Sequence, residues 1–215
     1  MNLSLTEIRV LGCLMEKQRT TPDVYPLSLN SLRLACNQST NRDPVVDYDD
    51  AVLRDALHRL ERRGYVRLAS GAGSRAAKYR HLLAESLPLS DSEHAVMCVL
   101  MLRGPQTPGE LKQRTERMHE FGDLMEVQET LERLIDRELV ACLGRRPGQK
   151  EDRYRELLSD AEAEEAHMET PVVSQPGSSP PGIDESAIAT LARRVQCLES
   201  EVAQLRAEIP TSDTE

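Results

Sequence analysis

Apolar residues near the amino terminus recur at helical spacing. Ile8, Leu11, Leu14 and Met15 follow Ser4 and Glu7, which have the S-x-x-E separation of a capping box, and the spacing predicts a helix ending near Gln18. Thr20–Pro26 is a turn-rich connection, after which Ser28 can cap a short helix with Leu29, Leu32 and Ala35 facing inward. The stretch from Asn37 to Pro44 breaks that helix. A third is expected from about Tyr48, with Asp47 as cap and Val52, Leu53, Ala56, Leu57 and Leu60 as its apolar stripe. Gly64 ends it in a left-handed cap. Tyr65–Leu68 alternates like a strand, Ser70–Ala76 reads as a flexible loop, and Lys78–Leu82 reads as a return strand.

The whole pattern then repeats. Leu3–Met15 (LSLTEIRVLGCLM) is answered eighty-six positions later by Leu89–Met101 (LSDSEHAVMCVLM). A helix over Asp91–Arg103 stops at Gly104-Pro105. Thr107 and Glu110 open a second helix, and Asp123 and Glu126 a third that carries Val127, Leu131, Leu134 and Ile135. Leu57 and Leu60 correspond to Leu131 and Leu134, and KYRHLL (Lys78–Leu83) to RYRELL (Arg153–Leu158). Three helices followed by a β-hairpin is the order of a winged helix, a helix-turn-helix with a hairpin appended. The expected fold is therefore mainly α (α+β), with winged-helix domains over residues 1–87 and 88–160.

Beyond them the pattern changes. Residues 161–185 are acidic, then rich in Pro, Gly and Ser, as a flexible linker is. Ile188, Leu191, Val195, Leu198, Val202, Leu205 and Ile209 are spaced alternately three and four apart, giving a coiled-coil helix over 186–209 before a disordered tail at 210–215. β-Branched residues at every a position and Leu at every d favour a parallel pair. In that pair Arg194 would face Glu199 and Glu201 would face Arg206, so a homodimer is expected.

Four blocks carry a family resemblance: Thr20–Val46, Gly73–His81, Arg103–Phe121 and Arg146–Leu158. They resemble the signature blocks of the YceH-like family of bacterial proteins. The resemblance covers most of residues 1–158 and implies two winged-helix domains. It implies no catalytic residues.

The net charge of −9 is unevenly spread. Residues 1–87 carry 13 Lys+Arg against 10 Asp+Glu, residues 88–160 carry 11 against 15, and residues 161–215 carry 3 against 11. The first half is thus mildly basic, which suits nucleic acid less strongly than a highly basic domain would. The five cysteines form no C-x-x-C pair, and those at apolar positions read as buried thiols. No signal-like segment opens the chain and no apolar run approaches the roughly 18 residues of a membrane span, so a cytoplasmic protein is expected.

Catalytic constellations are missing. His58, His81, His94, His119 and His167 have no partner at zinc-ligand spacing and read as surface or cap residues. Gly71-Ala72-Gly73 lacks the context of a phosphate loop and reads as a wing tip, and the carboxylates fall at helix starts. Neither enzymatic activity, nor a metal, nor a cofactor is expected.

Nucleic-acid contact is suggested by the basic hairpins: Arg67, Arg75, Lys78 and Arg80 in the first, and Arg145, Arg146, Lys150, Arg153 and Arg155 in the second. Asn37, Gln38, Asn41 and Arg42, after the second helix, could add backbone hydrogen bonds. Against this, the third helices begin with Asp47, Asp49 and Asp50, and with Asp123 and Glu126, where carboxylates would repel phosphates. The expectation is a dimeric, DNA-associated or regulatory protein whose first half touches double-stranded DNA and whose second half binds another protein. The alternative is a protein–protein scaffold that does not bind DNA directly.

Overall fold

The computed structural model describes residues 2–69, 77–144 and 151–159. The linker, the heptad residues from Ile188 to Ile209, and the hairpin residues Arg75, Arg145, Arg146 and Lys150 lie outside the described residues. The described chain is α+β, with six helices of eight residues or more and small antiparallel sheets.

Helix α1 (Leu5–Thr20) starts at a complete capping box. Ser4 Oγ accepts the Glu7 N–H at 3.3 Å, and the Glu7 carboxylate accepts the Ser4 N–H at 2.8 Å. α2 spans Leu29–Cys36, α3 Asp50–Arg62, and a single-turn α4 Leu83–Ser86. α5 (Asp91–Arg103) repeats the capping box of α1 with Ser90 and Glu93 at the same two distances. α6 (Pro108–Thr115) and α7 (Leu124–Asp136) complete the set.

Strands β1 (Leu27–Ser28), β2 (Val66–Leu68) and β3 (Lys78–His81) form an antiparallel sheet in the order β1-β3-β2. In the second half β4 (Val140–Leu143) pairs with β5 (Arg153–Glu156). A bridge between Gln106 and Tyr154 takes the place of Leu27 opposite Tyr79, so the same strand order recurs.

α1 is buried from Glu7 to Met15, and α5 from Glu93 to Leu102. Helices covered on all sides belong in the middle of a core. These two pack on each other, and the apolar residues of both halves form one contiguous cluster. Gly12 is the point of closest approach. A Cβ there would lie 2.9 Å from Leu102 Cδ2 and 3.3 Å from Met101 Cβ, inside ordinary contact. The end of the second half also closes on the start of the first, where the Leu3 N–H donates to Leu158 O at 3.0 Å.

One polar device occurs twice. Glu7, 2% exposed, accepts from Arg59 Nε at 3.3 Å, and Arg63 donates to Asn2 O at 2.6 Å. Glu93, 6% exposed, faces Arg133 at 3.9 Å and Arg137 at 3.1 Å, and Arg137 donates to Pro88 O at 2.9 Å. A buried carboxylate must be paired. In each half the glutamate that caps the first helix is also the clasp for the third.

Several details depart from the sequence expectations. α3 begins two residues late, with Asp49 rather than Asp47 as cap and its carboxylate accepting the Val52 N–H at 2.9 Å. The cause is Asn37, whose amide bonds both Tyr48 N–H and Tyr48 O at 2.9 Å and holds that segment extended. Val52 is consequently exposed rather than part of the stripe. Strand β1 was hidden behind the turn signals of Thr20–Pro26. Asp123 caps α7 as expected, but Glu126 reaches back to the Gly122 N–H at 2.9 Å, so the capping box is incomplete. Among the described residues, no helix is long and apolar enough to cross a membrane.

Candidate nucleic-acid interface

The first hairpin places like charges opposite one another: Arg67 and Arg80 are direct cross-strand partners, with Lys78 on the same strand as Arg80. Adjacent cations destabilise a strand pair unless water or an anion separates them. Arg67 is exposed, and Arg80 meets Glu85 at 3.3 Å. β2 packs against α3, whose outer face carries Arg54, His58 and Arg62 at successive four-residue steps, all exposed. The exposed cations are therefore those of the hairpin and of this α3 row, on a helix that also exposes Asp50, Asp55 and Glu61, and the α3 row is a part that the sequence expectation omitted. Its signal is an i, i+4, i+8 spacing that becomes meaningful once the buried face of the helix is known.

The carboxylates at the start of α3 are largely occupied. Asp49 is the cap, Asp50 pairs with Arg33 at 3.2 Å and Arg54 at 3.6 Å, and Asp47 accepts from Asn37 at 3.3 Å. In the second half α7 exposes a different surface. It carries four carboxylates against the single Arg133, and exposes Leu124 by 50% and Met125 by 67%.

Four expected contact residues have structural duties instead. Arg42 has a side chain with no exposure and is spread over Glu16 (2.7 and 3.2 Å), Ala35 O (3.0 Å) and Asn41 O (2.8 Å). Four of its five N–H groups are used, so it locks the loop after α2 rather than facing a phosphate. Burial disfavours the Glu16 carboxylate, yet the Arg42 hydrogen bond and charge hold its pKa below the usual value. Asn37 is bound within that loop, and Asn41, at φ 61°, accepts from Arg103. Arg153 donates to Pro105 O at 2.8 Å and Glu110 at 3.0 Å. Gln38 is half-buried. The sequence also gave no notice of Arg9, buried inside α1 and donating to Cys36 O at 3.2 Å and Pro44 O at 2.7 Å.

Two histidines expected at the surface are in the interior. His81 and His94 are both buried, with ring centroids 6.0 Å apart. His81 Nε2 lies 2.7 Å from Gln18 Oε1. Burial, then the His94, Arg80 and Arg19 charges, push the His81 pKa down to about 4, while burial and Arg19 do the same for His94. Cys13, Cys36 and Cys98 are buried free thiols and Cys142 is exposed. Among the described residues, no three His, Cys, Asp or Glu are grouped to hold a metal ion.

The family model described as "Protein of unknown function, DUF480" matches residues 3–149. UPF0502 protein Shewmr4_1554 of Shewanella sp. (strain MR-4) is 43% identical over 212 residues, covering 96% of this chain and 95% of its own. UPF0502 protein YceH of Salmonella paratyphi B (strain ATCC BAA-1250 / SPB7) is 46% identical over 211 residues, covering 95% and 93%. Likeness of this extent, over both halves, identifies the chain as a member of the UPF0502, or YceH-like, family.

Proposed function

We propose that this is a non-enzymatic, DNA-associated regulatory protein of two tandem winged helices, in which the first half contacts DNA and the second a protein partner. Three helices and a hairpin occur in the same order twice, with the same strand order, which supports the winged-helix assignment. The observation that carries the DNA contact is the cationic surface formed by Arg67, Lys78 and Arg80 on the hairpin and Arg54 and Arg62 on α3. The carboxylates opening α3 are held by the cap and by Arg33, Arg54 and Asn37, which lessens their repulsion of phosphates. The heptads from Ile188 to Ile209 would pair two copies, doubling the surface offered to a duplex.

The test is binding of the full chain to a labelled random-sequence duplex across a salt series. Affinity should fall with salt, and Arg54/Arg62/Arg67/Arg80→Ala should bind more weakly, with the slope reduced by about one unit per phosphate contact removed. The exposed Leu124 and Met125 on acidic α7 favour a second reading, a protein–protein scaffold. That reading replaces the first if the intact chain shows no salt-dependent DNA binding at low ionic strength.

A further inference from the structure

A cleft of about 380 Å³ opens where α1, the α4 segment and α5 meet, lined by Gln18, Arg19, Leu83, Leu89 and His94. His94 is only 6% exposed, and neither of its ring nitrogens has a hydrogen-bond partner among the described residues. A buried polar atom left unpaired costs about 1–3 kcal/mol, and native proteins satisfy nearly all of them. Here the unpaired atoms belong to a side chain lining a space of the size that small molecules occupy.

The charges around the cleft select the ligand. Arg19 is the cation of the lining, and Arg19 and Arg80 both disfavour the protonated form of the neighbouring His81. The opposing carboxylate, Asp91, is solvent-exposed and already bonded to Arg19. A metal cation would meet this positive field without a three-ligand cluster to hold it. An anion would find the Arg19 guanidinium and the His94 ring on the polar side, and Leu83 and Leu89 against its body. We infer that this cleft binds a small organic carboxylate, its carboxyl group taken by Arg19 and His94 and its apolar body by Leu83 and Leu89. The cleft adjoins the hairpin through α4, where Glu85 pairs with Arg80, but its binding of a carboxylate stands whether or not DNA is bound.

Benzoate is the probe, with benzamide as its neutral counterpart and Zn²⁺ in a separate arm. The imidazole nitrogens of the full-length protein are followed by ¹⁵N-detected NMR, with His94 assigned through His94→Asn. Benzoate should shift the His94 signals saturably while benzamide leaves them in place. Arg19→Met should weaken benzoate by about tenfold or more through loss of a charge-assisted contact. Asp91→Asn, which frees Arg19, should tighten it. Equal response to benzamide, full retention of benzoate binding in Arg19→Met, or saturation by Zn²⁺ with benzoate silent overturns the proposal.

Discussion

The Cys98 thiol donates to Gly12 O at 3.5 Å, and these two residues are each other's counterparts in the repeat, eighty-six positions apart. A residue that touches its own counterpart marks the axis relating the two copies. Neighbouring positions agree: Gly12 faces Leu102, while Cys98 feels the charge of Glu16, the counterpart of Leu102. Where the two helices cross, Leu102 and Met101 take the space that a side chain at position 12 would need, and glycine leaves it to them.

Gly12→Val should therefore destabilise the fold. Its Cβ would meet Leu102 Cγ at 3.0 Å and Met101 Cβ at 3.3 Å, and over-packing of this kind costs about 1–3 kcal/mol. Urea unfolding of the variant should show a lower midpoint. An unchanged midpoint would mean that the crossing has slack.

The repeated glutamate clasp predicts matched losses. Glu7→Ala removes the acceptor for Ser4 N–H and Arg59, and Glu93→Ala the acceptor for Ser90 N–H and Arg137 and the carboxylate that faces Arg133 at 3.9 Å. A hydrogen bond to a charged group contributes about 1.5–3 kcal/mol and each variant loses two, so both should lose at least that much stability. Because both halves feed one core, either loss should lower a single cooperative transition. Two separate thermal transitions would contradict this.

Arg42→Met should act on stability rather than on any salt slope for DNA. It leaves Glu16, whose side chain is 16% exposed, facing Lys17 at 3.5 Å without its bidentate partner, so the loss should fall below the about 3–5 kcal/mol of a fully stranded buried charge. Adding Glu16→Met should recover part of that loss, a coupling measurable by a double-mutant cycle. Additive effects would show that the pair is not energetically linked.

The buried histidines set a pH dependence. Their folded pKa of about 4 lies below the ordinary 6.5, so the unfolded chain takes up their protons first. Their stabilisation is complete above pH 6.5 and is lost as pH falls towards 4. A shift of this size is worth about 3 kcal/mol for one ring. Urea melts at pH 7 and pH 5 should differ less for His81→Gln/His94→Gln than for the parent chain. An equal difference would place the acid sensitivity elsewhere.

Sequence alone determined the local units. Capping residues, apolar spacing and glycine stops act within a few residues of one another, so the starts of α1, α2, α5, α6 and α7 and the repeat itself were legible. The tertiary structure decided everything that depends on distant partners. Arg42 and Asn37 look like exposed loop polars until Glu16 and Tyr48 arrive to claim them. His81 and His94 look like surface residues until β3 and α5 bring their rings together in the interior. Both halves share one core in which Gly12 meets its own counterpart, a contact made between residues whose separation along the chain hides it.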